Sequence, residues 1–203
     1  MTQVYVLEVS KNLNQTRREL RARRKALSVS QQRQHEKAAS QALLRSAWLQ
    51  RPKRIAVFLA QDGELATKAL IQALWQRHHQ VYLPIIQPKT GHLSFGIYQP
   101  GTRLEFNRFN ISEPVIQRAT DLVKAQQLDL IIMPLVGFDL EGRRLGMGGG
   151  FYDKTLEFKL KQPKRKPRLI GWAHACQQVN GLTPQPWDVP LDALVTEQGV
   201  YKF

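Results

Sequence analysis

The segment LDLIIMPLV (128–136) constrains the fold more than any other stretch of the chain. Its apolar residues do not alternate with polar ones, so a strand built from it buries both faces. That is the behaviour of a central strand in a mostly parallel sheet covered by helices on each side. IAVFLA (55–60), VYLPII (81–86), LSFGIY (93–98), RLIGWA (168–173) and ALVTE (193–197) are further apolar runs of strand length. Pro88 to Gly91 supplies a turn that makes 81–86 and 93–98 a hairpin. Residues 11–50 hold neither Gly nor Pro and read as two helices, the second opened by a Ser28/Gln31 capping box. Further helices are expected from about Thr67 to His78, over 115–127, and from near Phe151. Leu13, Leu20 and Leu27, seven residues apart, form the expected apolar stripe of the first helix. The architecture implied is α/β: three layers, a mostly parallel sheet flanked by helices, with a basic N-terminal helical segment. With 203 residues and no break in character, a single domain over 1–203 is expected, with the helices of 11–50 packed on the α/β core.

The net charge of +14 matters chiefly through its location. Residues 1–54 hold 13 Lys and Arg against three Glu, and Lys159 to Arg168 (KLKQPKRKPR) adds six basic residues without an acid. Lys164, Arg165 and Lys166 lie between Pro163 and Pro167, which predicts an exposed loop. Basic patches attract nucleic acid, membranes and small polyanions alike. Residues 11–47 contain no aromatic residue for base stacking, which weakens a nucleic-acid reading but leaves a basic RNA-binding or ribosome-associated protein as the alternative. No apolar stretch approaches the roughly 18–20 residues of a membrane span, and MTQVYVLEVS lacks the order of a signal peptide. The lone Cys176 cannot form an internal disulfide, so a cytoplasmic protein is expected.

RLGMGGGFYD (144–153) follows the central strand, at the end where ligands bind in open α/β sheets. Four glycines in five positions cost folding entropy; they serve either a flexible connection or a backbone cradle for an anion. Familiar phosphate motifs do not describe the cradle. No P-loop run occurs, and the dinucleotide pattern beginning at Gly146 meets Phe151 where its last glycine belongs. There is no G-x-S-x-G elbow and no H-E-x-x-H zinc spacing. His174 and Cys176 read as a packed or solvated pair rather than a metal site.

The segment DLIIMPLVGFDLEGRRLGMGGGFYD (129–153) resembles the signature of the 5-formyltetrahydrofolate cyclo-ligase, or methenyltetrahydrofolate synthetase, family. RRELRARRKALS (17–28), FLAQDGELAT (58–67), IGWAHACQ (170–177) and PWDVPLDALVTE (186–197) resemble the other blocks of that family in the same order, so the likeness covers nearly the whole chain. It is strongest to bacterial members. The resemblance implies that ATP and Mg2+ convert 5-formyltetrahydrofolate to 5,10-methenyltetrahydrofolate, with phosphorylation of the formyl oxygen and release of ADP and phosphate. A polyglutamylated substrate is compatible with it. It also implies a monomer without membrane or specific nucleic-acid partners.

Carried onto this chain, the resemblance places ATP against Arg17, Arg144, Leu145, Gly146, Met147, Gly148, Gly149, Gly150, Phe151 and Tyr152. Folate falls against Leu59, Glu64, Met147, Gly148, Gly149, Gly150 and Phe151, with the Glu64 carboxylate on the pterin. Tyr152 and Arg144 are the implied catalytic groups, and Asp153 and Asp188 the implied Mg2+ ligands. Each has an alternative: Asp153 as a first-turn acid of its helix, Asp188 as a turn acid before Pro190, Glu64 as a surface loop acid, and Phe151 as a packing residue. The family commonly has a lysine four residues before Arg17, where this chain has Leu13. Lys11, Arg18 and Arg21 are the candidates to replace it. Met147 and Gly149 likewise stand where other members carry basic residues.

Overall fold

The Gly- and Pro-free N-terminal segment forms two helices. In the computed structural model, which describes residues 7–9 and 12–203, α1 spans Leu13–Lys25 and α2 spans Val29–Leu44. Lys11 lies outside the described residues. The Ser28 capping box forms: Gln31 donates its N–H to Ser28 Oγ, and its side chain accepts from the Ser28 N–H. The α1 stripe differs from expectation. Leu20 is buried, but Leu13 is 39% exposed, and the inward face is Thr16, Leu20 and Arg24. Thr16 and Arg24 find polar partners inside, so a leucine heptad was the wrong guide to that face.

After the helices come β1 (Arg54–Ala56), α3 (Lys68–Gln76), β2 (Gln80–Ile86), β3 (Leu93–Ile97), β4 (Leu122–Val123) and β5 (Leu130–Pro134). The chain ends with α4 (Phe151–Leu156), β6 (Arg168–Trp172), β7 (Ala193–Thr196) and β8 (Gly199–Lys202). These eight strands form one sheet in the order β8-β7-β6-β5-β1-β2-β3-β4. The inner five are parallel, and β3, β4 and β8 add antiparallel edges.

Side chains of β5 divide between two cores. Leu130 and Ile132 pack with Leu43 of α2 and Leu70 and Leu74 of α3. Ile131 and Met133 pack on the other face with Phe95 and with Leu156 of α4. This period of two, apolar on both sides, is what the uninterrupted run encodes.

Three expectations are corrected. The stretch 115–127 is not a helix: 3₁₀ turns at Ala119–Asp121 and Ala125–Gln127 flank edge strand β4. Its buried residues Val123 and Ala125 stand two apart, a spacing that suits extended chain, and Val123 pairs with Phe95. Strand β1 is shorter than IAVFLA, because the chain leaves the ladder after Val57, whose N–H still donates to the Tyr82 carbonyl at 2.9 Å. The hairpin strand β8 is an addition that the sequence reading lacks.

Candidate functional site

The order in which strands are added across the sheet reverses between the parallel neighbours β1 and β5. From β1 the strands run outward to β2, and from β5 outward the other way to β6 and β7, which opens a crevice at their carboxyl ends. The loops after β1 and β5 both leave from this crevice. A shallow depression lined by Arg54, Gln80 and Asp129 lies at the amino ends, the opposite edge from the glycines.

Arg24 of α1 fills the back of the crevice and is 1% exposed. Its Nε donates to the Asp62 carbonyl (2.9 Å), Nη1 to the Leu135 carbonyl (3.2 Å) and Nη2 to Asp62 Oδ2 (3.1 Å). Arg21 Nε (2.7 Å) and Lys25 also pair with Asp62. Burial alone would raise the Asp62 carboxyl, but the bonds from Arg21, Lys25 and Arg24 outweigh it and hold the group well below the usual carboxylate range.

Glu64 follows on the same loop, which Trp172 braces by donating Nε1 to the carbonyls of Leu65 (3.1 Å) and Ala66 (3.2 Å). Its side chain is 13% exposed. One oxygen accepts the Gln61 N–H at 3.1 Å, and the other lies 3.8 Å from Arg24 Nη2. Burial pushes the Glu64 carboxyl up, against the pull of the Gln61 amide and Arg24. Tyr152 stands close enough to feel Glu64: burial first, then the Glu64 charge, raise its phenol, while Arg144 acts in the opposite sense.

The glycine block is delivered by a short hairpin, Gly137–Phe138 against Arg144–Leu145. Buried Asp139 shapes it by accepting N–H bonds from Glu141 (3.0 Å) and Arg143 (3.1 Å). Gly148 (φ +97°) and Gly150 (φ +66°) adopt backbone that side chains rarely tolerate, and Gly150 begins α4 in that conformation. A Cβ on Gly146 would enter open space, and one on Gly149 would strike the Phe151 ring at 2.7 Å. Arg17 bridges to this loop: its Nε donates to the Gly146 carbonyl at 2.8 Å, and its guanidinium lies beside Gly148.

Arg144 is 7% exposed at the side chain, donates Nη2 to Asp153 Oδ1, and buries its Nε without a partner. A buried guanidinium with an unmet donor beside an open glycine loop can receive an anion. Asp153 Oδ1 also accepts the Val189 N–H at 3.3 Å, which sets Asp153 next to the turn carrying Asp188. Asp188 Oδ2 caps that turn through the Gln185 N–H at 2.8 Å. One oxygen of each carboxylate takes no part in these bonds, so the donors suit Mg2+, which commonly takes one or two carboxylates together with phosphate oxygens.

The structure therefore gathers Arg17, Arg144, Leu145, the four glycines, Tyr152, Asp153 and Asp188 around one crevice edge, with Glu64 near Tyr152. Phe151 meets Phe109 edge-on at 5.8 Å, and Met147, four residues before Phe151, is 59% exposed. Leu59 packs against the core on the α2/α3 face, the opposite layer from Phe151 and Tyr152. Of the candidates to replace the lysine at Leu13, Arg21 is engaged with Asp62 and Arg18 is exposed.

Residues 9–197 match the profile of the 5-formyltetrahydrofolate cyclo-ligase family. The chain belongs to the 5-formyltetrahydrofolate cyclo-ligase family. It is thereby a ligase that forms a carbon–nitrogen bond. It is similar to the 5-formyltetrahydrofolate cyclo-ligases of Escherichia coli K12 (41% identical over 185 residues, 91% of this chain and 100% of the relative) and Haemophilus influenzae (43% over 183 residues, 89% and 96%). Among solved structures it resembles the 5,10-methenyltetrahydrofolate synthetase of Aquifex aeolicus, with a TM-score of 0.78, 28% identity, and 93% and 91% of the two chains covered. None of these relatives favours the RNA-binding alternative. Among the described residues, no helix of this cyclo-ligase family member is long and apolar enough to cross a membrane.

Sequence reasoning missed Arg24, Asp139 and Trp172. Arg24 had a signal, since it shares a face with Leu20 and Thr16 at helical spacing. Asp139 and Trp172 act through backbone groups, and nothing in their sequence neighbourhood announces that.

Proposed function

We propose that this chain closes 5-formyltetrahydrofolate to 5,10-methenyltetrahydrofolate, using ATP and Mg2+ and releasing ADP and phosphate. The observation that carries the reading is the buried, unpartnered Nε of Arg144 beside the glycine loop, with the Glu64 carboxylate a short way across the crevice. The N5 formyl group is an amide and a poor electrophile. Transfer of the γ-phosphoryl group of ATP to its oxygen, with ADP departing, turns that oxygen into a leaving group. N10 then adds to the formyl carbon and loses its proton, phosphate departs, and the ring is closed.

The chain's contribution is positioning and charge. Arg17 and the backbone of Gly146 and Gly148 to Gly150 hold the triphosphate, and Arg144 meets the γ-phosphoryl oxygens with its free donor. Asp153 and Asp188 would hold Mg2+, whose charge offsets that of the phosphates. Glu64 accepts pterin N–H groups, Tyr152 directs its hydroxyl to the formyl group, and Met147 and Phe151 line the folate slot. The enzyme works as a cytoplasmic monomer in this reading, without membrane or specific nucleic-acid partners.

The test mixes purified protein with 5-formyltetrahydrofolate, ATP and Mg2+ and follows the near-ultraviolet absorption of the methenyl product. Asp153→Asn is expected to raise the Mg2+ requirement and slow turnover at least about tenfold, roughly 1.4 kcal/mol of transition-state stabilisation. Absence of product with the wild type would refute the assignment. An unchanged Mg2+ titration in the variant would leave Asp153 as an acid that only steadies its helix.

A further inference from the structure

Behind the loop that carries Glu64, three side chains from separate elements converge. His35 comes from α2, His174 from just beyond β6, and Glu197 from just beyond β7. One donor atom of each lies within 4.8 Å of the other two. The Nδ1 atoms of His35 and His174 face each other at 2.9 Å, and His35 Nδ1 is 3.6 Å from Glu197 Oε1. We propose that His35, His174 and Glu197 form a zinc-class transition-metal site, separate from the Mg2+ site and independent of the folate reading.

The donor chemistry selects the class of ion. Imidazole nitrogens suit Zn2+ and its neighbours, whereas Mg2+ and Ca2+ take oxygen almost exclusively. Two histidines and one glutamate leave a fourth, tetrahedral position for water. That position has access, since His35 and Glu197 keep 17% and 16% side-chain exposure while His174 is fully buried.

The surroundings are organised as metal ligands need. Glu197 is oriented by the Ala175 N–H, which reaches both its oxygens at 3.2 and 3.0 Å. His174 Nε2 is buried without a hydrogen-bond partner, while the carbonyls of Gly63 and Glu64 stand beside the ring. A histidine that binds metal through Nδ1 keeps its proton on Nε2, where backbone carbonyls commonly accept it. Two nitrogens on one tetrahedral Zn2+ sit about 3.3 Å apart, given Zn–N bonds near 2.0–2.1 Å. The facing pair need open by only a few tenths of an ångström.

A plain hydrogen-bonded His–His–Glu network is the competing account, and metal titration separates the two. Tag-free protein is stripped with a chelator, dialysed, and titrated with Zn2+ and with Co2+. The expected results are one tightly held Zn2+ per chain, a raised Tm with Zn2+, and visible Co2+ absorption of tetrahedral intensity. His35→Ala and Glu197→Gln change side chains that reach solvent, and each is expected to weaken Zn2+ binding at least tenfold while the metal-free protein melts near the wild-type temperature. Asp153→Asn is expected to leave Zn2+ binding unchanged, which separates this site from the phosphate-side carboxylates. Wild-type protein that retains no Zn2+, or retention equal in the His35→Ala and Glu197→Gln variants, would overturn the proposal. So would an intense thiolate-to-Co2+ band that Cys176→Ser abolishes, because the donor set would then be different.

Discussion

The two basic regions of this chain, residues 1–54 and 159–168, put their charge to opposite uses. Each buries one cation completely. Arg24 of α1 reaches the carbonyls of Asp62 and Leu135 together with the Asp62 carboxylate. Lys159, the first residue of the basic run 159–168, is 4% exposed and donates Nζ to the carbonyls of Pro163 (2.9 Å), Arg165 (3.0 Å) and Pro167 (2.9 Å). The remaining cations then diverge. Arg17, Arg21 and Lys25 of α1 face the crevice, where Arg17 meets the glycine loop and the other two pair with Asp62. Lys164, Arg165 and Lys166 are exposed, as their flanking prolines suggest, and Lys166 pairs with Asp129 at the far edge of the sheet. What separates the regions is therefore the direction their charges face, which a count of lysines and arginines does not contain.

The largest effect is expected from Arg24→Met, which takes a donor from the Asp62 and Leu135 carbonyls, leaving Leu135 only the Gln177 side chain, and removes one cation from Asp62. A loss of about 3 kcal/mol is expected in denaturant unfolding. The same variant should raise the acid limb of the stability curve. Asp62 is depressed in the fold, so its contribution is present above the unfolded carboxyl range and is lost as pH falls toward the folded value. Weaker pairing shifts that loss to higher pH, and an unmoved acid limb would mean that Arg21 and Lys25 alone set the Asp62 carboxyl.

Lys159→Met tests the matching burial in the other region. It should cost about 1–2 kcal/mol, less than Arg24→Met, because its partners are mainly carbonyls near a surface loop. Equal losses would erase the distinction between the two buried cations.

For function, Arg17→Ala should raise the ATP KM several-fold, about 1 kcal/mol, with the melting temperature little changed. Smallest of all, neutralising Lys164, Arg165 and Lys166 together should change that KM less than about twofold at physiological salt, where the Debye length is about 8 Å. If the triple variant lost ATP affinity while Arg17→Ala kept it, the crevice would not be the phosphate site.

Much of the fold is legible because LDLIIMPLV is apolar on both faces, as a strand of period two at the centre of a covered sheet requires. The capping box at Ser28 is equally local. Residues 115–127 misled because their few apolar residues do not define a period, and the neighbouring β3 edge supplies what the segment itself lacks. In the site, the glycine block and Arg144 stand out by composition and position. Arg24 stands out less: it shares a face with Thr16 and Leu20, but its burial depends on acceptors at residues 62 and 135 that lie far along the chain. The His35, His174 and Glu197 cluster hides for the same reason: three distant residues meet only because parallel strands end side by side.

The crevice contacts of α1 also bear on the order of assembly. Arg17 and Arg24 bond to residues 129 and 111 positions away in the chain. The helix precedes these partners in the chain, and of its anchors only Asp62 is made before β5. Contacts of such long range slow the search for the native state, since loop closure precedes the gain. Refolding should accordingly restore helical signal before ATP affinity, with the crevice closing last.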